Sequence, residues 1–168
     1  QVGKTTLAES WRAERGGLYL NWDIPEHRER LLRKDFVSSL HTPCLVLDVD
    51  RVEANFRSLR RTLPLARIYY AVKANPAAPI LERLVKLSSF FDAASFEEVS
   101  ACLAAGARPE AISFGNTIKK ERDIETAFTL GVRLFAVDCK AEVEKIARVA
   151  PESRVFCRIL CDGAGAEW

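Results

Sequence analysis

Three charged side chains in this sequence stand inside runs of apolar residues, where a charge is unexpected. Lys73 lies in YYAVKAN, Asp92 in FFDAAS and Arg158 in FCRIL. A lysine that is taken out of water has a lowered pKa, because burial disfavours its charged form, and the neutral amine attacks carbonyl groups to give a Schiff base. If the three side chains converge on one pocket, they could perform carbonyl chemistry with Lys73 as the nucleophile.

Each of the three residues also has a purely structural interpretation. Lys73 could extend its ammonium group from the end of a strand into water. Asp92 and Arg158, taken singly, could each belong to a structural ion pair. The residue types alone leave both interpretations open.

The three runs belong to a longer repeat of strands and helices. From Pro43 onward, short apolar or β-branched runs begin roughly every 20–25 residues, which is the spacing of βα units. They are CLVLDV, RIYYAVKAN, FFDAAS, AISFGN, RLFAVD and RVFCRIL. Between the first two, apolar residues recur with the helical period at Val52, Phe56, Leu59 and Leu63. The sequence therefore predicts an α/β fold with a parallel sheet.

Local signals place the ends of several elements. Ser95 followed by Glu98 predicts a capping box, and Gly106 and Gly131 are placed to end two helices. Alternation along IYYAVKA puts Lys73 near the carboxyl end of its strand. In parallel α/β folds that end is where ligands bind.

The length of the repeat limits the possible folds. A complete (β/α)8 barrel takes about 250 residues, and the repeat here covers about half of that. We therefore expect a partial TIM barrel that is truncated after about six strands, with a complete open doubly wound sheet as the alternative. The sequence has no methionine and opens abruptly on Gln1, which suggests a piece of a longer protein.

Composition excludes several classes of partner. The 25 Lys and Arg residues nearly balance the 23 Asp and Glu residues and form no basic block, so we expect neither nucleic acid nor a membrane surface as partner. No apolar stretch reaches the roughly 20 residues of a membrane span, and the N-terminus is too polar for a signal peptide, so a cytosolic location is expected. The five cysteines lack CxxC spacing and are interpreted as reduced, packed thiols, and no metal site is predicted.

From about Thr42 to Trp168 the sequence resembles the N-terminal part of the barrel domain of ornithine decarboxylases. These are fold type III pyridoxal-phosphate enzymes of the alanine-racemase-like fold, grouped with the arginine and diaminopimelate decarboxylases. The matching stretches are TPCLVLDVDRVEANF, YYAVKANP, FDAASFEEV, GARPEAISFGNTIK, LFAVD and RILCDGAGAEW. The forms FDAAS and CDGAGAEW are most similar to the bacterial ornithine or ornithine/lysine decarboxylases.

The resemblance implies a cofactor and a reaction. Lys73 would hold pyridoxal 5'-phosphate, Asp92 and Arg158 would line the cofactor pocket, and Asn116 is a further candidate for that pocket. The reaction would be decarboxylation of a basic amino acid, most simply ornithine to putrescine in polyamine biosynthesis. A homologue that keeps the barrel but not the chemistry is the alternative.

The resemblance also implies that part of the machinery lies elsewhere. In that family, several active-site groups follow the region that this sequence covers: the glycine-rich phosphate loop, the ring-stacking histidine, the glutamate that pairs with the pyridine nitrogen, and the cysteine and aspartate donated across a homodimer interface. We therefore expect the chain to be inactive by itself.

The first 36 residues do not fit this pattern. QVGKTTLAESW carries Gly3, Lys4 and Thr5 in the arrangement that ends a P-loop, and the residues that follow resemble certain prokaryotic AAA-type ATPases. Residues 1–36 are therefore interpreted as an ATPase-like remnant or a leader, and residues 37–168 as part of a pyridoxal-phosphate-binding barrel. A nucleotide-binding ATPase remnant remains an alternative function.

Overall fold

The structure, a computed structural model, describes residues 25–33 and 47–161 and alternates helices with strands. Helices α1 to α6 are Pro25–Arg33, Val49–Thr62, Ala78–Lys86, Phe96–Ala104, Glu121–Thr129 and Lys140–Val149. Strands β1 to β5 are Tyr69–Ala71, Phe90–Ala93, Ile112–Phe114, Leu134–Val137 and Arg154–Cys157. The 3-10 turns within the described ranges are Val72–Ala74 and Pro109–Ala111. The chain divides into two compact units, Gln1–Ser89 and Phe90–Trp168.

The described part of the first unit is held together by the packing of α2 on α3. Asp48 is the N-cap of α2, and its carboxylate accepts a hydrogen bond from the N–H of Arg51 at 2.8 Å. Arg83 of α3 donates to Asp50 at 3.1 Å and to Glu53 at 2.6 Å. Among the described residues of this unit, the buried apolar ones are Val49, Phe56, Val72, Ala77, Ile80, Leu81 and Leu84.

The first predicted strand, CLVLDV, is not a strand where it is described. Residues 44–46 lie outside the described residues, and Leu47 belongs to no element. Asp48 is the cap of a helix that begins at Val49. The short Asp side chain competes for backbone N–H groups, which favours a helix start over continued extension.

In the second unit, β2 to β5 form a parallel sheet in chain order. The register pairs Phe91 with Ile112, Phe114 with Phe135, and Phe135 with Val155. Phe91, Phe114 and Phe135 are at most 2% exposed and form the centre of the core. This order has no reversal among the four strands, so it lacks the switch point of a doubly wound sheet and favours the barrel.

The predicted helix ends of this unit are confirmed. The Ser95 hydroxyl accepts a hydrogen bond from the N–H of Glu98 at 3.3 Å, and the Glu98 carboxylate accepts one from the N–H of Ala94 at 2.7 Å. Gly106 and Gly131 have φ values of +91° and +100°, which a residue with a side chain rarely adopts.

The cysteines only partly match their predicted packing. Cys102 is fully buried, and burial raises the pKa of its thiol to about 12. Cys139, Cys157 and Cys161 are exposed free thiols, so the prediction that they are packed is wrong. Cys44 lies outside the described residues. Among residues 25–33 and 47–161, every helix falls short of what a bilayer-spanning segment needs in length and hydrophobicity.

Candidate functional site

Lys73 lies just beyond the carboxyl end of β1. The strand ends at Ala71, and Lys73 is the middle residue of the 3-10 turn Val72–Ala74. Val72 is fully buried, whereas the Lys73 side chain is exposed. The prediction that Lys73 lies within the strand is wrong by two residues, and the apolar run around it does not bury it. Its position at the carboxyl end of the strand agrees with the prediction.

The turn that carries Lys73 is fixed by two hydrogen bonds at its far end. The Tyr70 hydroxyl donates to the carbonyl oxygen of Asn75 at 3.0 Å, and the Asn75 side-chain oxygen accepts from the N–H of Ala77 at 3.1 Å. Burial raises the pKa of Tyr70, so its hydroxyl stays protonated and able to donate. The tyrosine before Lys73 and the asparagine after it therefore restrain the backbone of the turn.

Asp92 lies on β2 and is half-buried, with its carboxylate against β3. Its Oδ1 accepts a hydrogen bond of 2.6 Å from the hydroxyl of Ser113, which is also its register partner. Gly115 lies against the same carboxylate: a Cβ at that position would stand 2.6 Å from Asp92 Cγ. Only a glycine leaves room for this carboxylate, which Ser113 and the glycine backbone hold in one place.

Arg158 follows the last residue of β5 and is exposed. Its backbone N–H donates to the carbonyl of Val137 at 2.8 Å, extending the pairing of β5 with β4. Its Nη2 donates to Thr117 Oγ1 and to Asp138 Oδ2, both at 2.9 Å. The Thr117 hydroxyl is the main cause that lowers the pKa of Asp138, and Arg158 contributes less. The guanidinium is therefore positioned by a neutral and a charged acceptor.

A buried ion pair that the sequence did not predict lies beneath the loop after β3. Lys119 Nζ stands 3.0 Å from Glu142 Oε1, and the two side chains are 0% and 4% exposed. Burial lowers the pKa of Lys119, with Glu142 opposing the shift. Little in the sequence indicates this pair, because two consecutive lysines ahead of a helix are typical of a solvated surface.

The second unit does not join all the residues that the sequence singled out there. Asp92 is bonded to Ser113, whereas Arg158 is bonded to Thr117 and Asp138, and no hydrogen bond or ion pair within residues 90–161 links the two predicted site residues. Asn116 is exposed, and its side-chain oxygen accepts from the N–H of Ile118 at 3.2 Å.

Some predicted features lie outside the described residues. They are the P-loop-like Gly3, Lys4 and Thr5, and every residue of the CDGAGAEW stretch after Cys161. Within the described ranges, no three His, Cys, Asp or Glu side chains are grouped so as to hold a metal ion.

Comparison with known proteins identifies the family. Residues 49–167 match the family described as pyridoxal-dependent decarboxylase, pyridoxal binding domain. The chain belongs to this family. The lysine/ornithine decarboxylase of Selenomonas ruminantium is 36% identical over 126 residues, which are 75% of the chain and 32% of that protein. The chloroplastic ornithine decarboxylase of Nicotiana glauca is 38% identical over 144 residues, which are 81% of the chain and 33% of that protein.

A solved structure agrees with this assignment. SrLDC in complex with PLP and cadaverine superposes with a TM-score of 0.71 at 31% identity, over 89% of the chain and 37% of that protein. The fold is thus the N-terminal part of the TIM barrel of the pyridoxal-dependent decarboxylases, as predicted, and not an open doubly wound sheet. Pyridoxal phosphate, the predicted cofactor, is confirmed as the cofactor of the family. The chain spans about a third of the length of the curated relatives that it matches.

The described residues have the chemistry that such a cofactor needs. An aldehyde requires a primary amine, and Lys73 presents one in an exposed turn after β1. A phosphate or phenolate requires a cationic donor, and Arg158 presents one after β5. Asp92, near the end of β2, adds a fixed hydrogen-bond acceptor. Each of the three stands at the carboxyl end of its own strand.

Proposed function

We propose that this chain supplies the cofactor-binding barrel segment of a carboxy-lyase that acts on a basic amino acid, with L-ornithine as the favoured substrate and putrescine as product. The observation that carries the proposal is the family match over residues 49–167, which includes an exposed lysine in the turn after the first described strand. In the reaction the α-carboxylate leaves as CO2 and a proton takes its place on the α-carbon. Pyridoxal phosphate supplies the electron sink for the breaking bond.

In this proposal Lys73 binds the cofactor covalently. Its amine is exposed, so the aldehyde has access to it. The hydrogen bonds of Tyr70 and Asn75 restrain the turn and so limit the positions that the amine can take. The same amine would hold the cofactor again after the diamine has left.

Arg158 is proposed to bind an anionic group of the cofactor. Both of its side-chain bonds within the described residues use Nη2, which leaves Nη1 and Nε to donate to a bound anion. Asp138 accepts from one edge of the guanidinium and so orients the other edge. Removing Arg158 should weaken cofactor binding more than it changes the fold.

Asp92 is proposed to line the same cofactor site as a fixed acceptor. The Ser113 hydroxyl and the close approach of Gly115 restrict its carboxylate to one orientation. A carboxylate held in this way can accept a hydrogen bond from the cofactor or orient a cation beside it without rearranging.

Ornithine is favoured over lysine and arginine by the relatives. The Nicotiana glauca protein is an ornithine decarboxylase, and the Selenomonas ruminantium protein is a lysine/ornithine decarboxylase. The described residues include none to which we assign recognition of the side-chain length, so the choice of ornithine rests on this similarity.

The proposal extends to the organisation and partners of the protein. We infer that residues 37–168 belong to the cofactor-binding barrel, that residues 1–36 are a separate segment, and that the active protein is a cytosolic homodimer. Since the matched relatives are about three times as long as the matched region, we also infer that the chain alone does not turn over substrate.

The test of the proposed function is product formation by the protein expressed from its complete reading frame. With pyridoxal phosphate and ornithine it should release CO2 and putrescine, and Lys73→Ala should lower kcat at least about a thousandfold, since the group that binds the cofactor covalently is lost. Lys86→Ala, an exposed lysine at the end of α3, is the matched control and should retain activity. Absence of CO2 release from ornithine, lysine and arginine would refute the proposal.

A further inference from the structure

A buried ammonium group, that of Lys119, binds the loop between β3 and α5 to its neighbours. Lys119 Nζ donates to the carbonyl of Asn116 at 2.8 Å and to the carbonyl of Ala136 at 2.7 Å, and it lies 3.0 Å from Glu142 Oε1. An ammonium has three N–H donors, so all three are used. With its side chain 0% exposed and every proton engaged, Lys119 is a structural cation rather than a nucleophile.

The Glu142 carboxylate completes the attachment of this loop to α6. Its Oε1 also accepts from the backbone N–H of Lys119 at 3.1 Å, and its Oε2 accepts from Lys145 Nζ at 2.6 Å. The same Lys145 ammonium donates to the carbonyl of Lys119 at 2.7 Å. Both the side chain and the backbone of Lys119 are therefore bonded to α6.

The backbone groups that these bonds hold lie on both sides of Thr117 along the chain. The carbonyl of Asn116 on one side and the N–H of Lys119 on the other are both fixed by the ion pair. Thr117 itself is only 3% exposed, and its hydroxyl accepts from Arg158 Nη2. Thr117 thus links Arg158 to a loop that the buried pair holds.

We propose that Lys119 and Glu142 are positioning residues for Arg158, which they hold, through the loop and Thr117, in the orientation that binds an anionic group of the cofactor. This inference rests on the proposed function, because it assumes that Arg158 contacts pyridoxal phosphate. It goes beyond that function in assigning a buried ion pair to cofactor affinity.

A double-mutant cycle between Glu142 and Arg158 tests the inference. The dissociation constant for pyridoxal 5'-phosphate is measured on the protein expressed from its complete reading frame, with Glu142→Gln and Arg158→Ala, singly and together. Glu142→Gln should weaken cofactor binding about tenfold in the wild-type background and less than about twofold when Arg158 is already Ala, because coupled residues are not additive. Glu121→Gln is the matched control, because Glu121 of α5 bonds Arg148 of α6 and neither residue belongs to the loop. Its loss should change affinity less than about twofold.

Hydrogen exchange of the cofactor-free protein supplies a second readout. The amides of Ile118 and Lys119 should exchange faster in Glu142→Gln and not in Glu121→Gln. If Glu142→Gln does not fold, Lys145→Gln is the milder variant, since it leaves the buried pair intact. Lys145→Gln should weaken cofactor binding about threefold in the wild-type background, and less when Arg158 is already Ala.

The outcomes separate the two proposals. Equal weakening by Glu142→Gln in both backgrounds, or unchanged exchange of the loop amides, would overturn the positioning role while the proposed function stands. A wild-type protein that does not bind pyridoxal phosphate would refute the proposed function and this inference together.

Discussion

The Asp92 carboxylate and the backbone of Gly115 lie so close that no side chain fits between them. A Cβ on residue 115 would stand 2.6 Å from Asp92 Cγ, and Ser113 donates to the same carboxylate from the neighbouring strand. The glycine of FGN is therefore required because it leaves space for the Asp92 side chain, and not because of an unusual backbone angle. This contact places a predicted site residue within the packing of the sheet.

Gly115→Ala should destabilise the second unit by displacing Asp92. The added methyl group would overlap the carboxylate, so neighbouring groups must shift. Overpacking of this kind lowers the free energy of unfolding by about 2 kcal/mol. Urea unfolding of the variant measures this loss. In an Asp92→Ala background the same substitution should cost less than about 0.5 kcal/mol. Equal costs in the two backgrounds would show that the carboxylate is not what the glycine accommodates.

Glu142→Gln should remove a pH-dependent part of the stability. Burial opposes ionisation of Glu142, but the hydrogen bonds from Lys145 and Lys119 outweigh it and lower the pKa below 4.5. The folded state therefore gains from the ionised carboxylate above the unfolded pKa of about 4.5, and that gain is lost as the pH falls through the lower folded pKa.

At pH 7 the Glu142→Gln variant should be about 3 kcal/mol less stable than the wild type, because breaking a buried pair leaves Lys119 without its carboxylate. The difference should shrink below pH 4.5, as followed by urea unfolding across pH. Glu121→Gln, which removes an exposed carboxylate, should change stability little at any pH. A difference that stays constant down to pH 3 would contradict this account of the pair.

Cys102 should make the protein less stable at alkaline pH. Its thiol is fully buried, and burial raises its pKa from 9.0 to about 12. The unfolded state therefore loses its proton near pH 9 while the folded state keeps it, so stability falls by about 1.4 kcal/mol per pH unit from pH 9 toward 12.

The measurement is thermal or urea unfolding between pH 8 and 11 for wild type and Cys102→Ala. Cys102→Ala should lower the free energy of unfolding by the same amount at every pH because of the cavity that it leaves. Above pH 9, however, the stability of the variant should decline less steeply than that of the wild type. Cys139→Ala, at an exposed thiol, should follow the wild-type slope. Parallel slopes for wild type and Cys102→Ala would contradict the buried, protonated thiol.

Tyr70→Phe should loosen the turn that carries Lys73. The variant keeps the ring and removes only the hydroxyl that donates to Asn75, at a cost of about 1 kcal/mol. The amides of Lys73 and Ala74 should then exchange faster with solvent. Unaltered exchange in Tyr70→Phe would mean that the hydroxyl does not restrain the turn.

The sequence predicted the βα repeat of the fold better than the places where the chain departs from that repeat. Strands from Tyr69 onward and the capping box at Ser95 follow from period and cap chemistry, which are local. The alternation pattern does not predict that the chain leaves β1 after Ala71. The turn there is restrained by the hydrogen bond between Tyr70 and Asn75, and no alternation pattern encodes such a bond.

The sequence supplied candidate site residues, but it did not indicate their hydrogen-bond partners. The buried pair of Lys119 and Glu142 joins residues 23 positions apart, and nothing near either one in the sequence indicates burial. Likewise, Thr117 and Asp138 become partners of Arg158 only once the parallel register is set. Long-range pairs of this kind need the three-dimensional structure.

Chemical trapping of the cofactor shows directly which lysine binds pyridoxal phosphate. The protein expressed from its complete reading frame is mixed with pyridoxal 5'-phosphate and reduced with borohydride, which makes a lysine–cofactor bond permanent, and its peptides are analysed by mass spectrometry. We expect the added mass on the peptide that contains Lys73, and none on that peptide in Lys73→Ala. Stoichiometric labelling of a different lysine, or no labelling at saturating cofactor, would contradict this expectation.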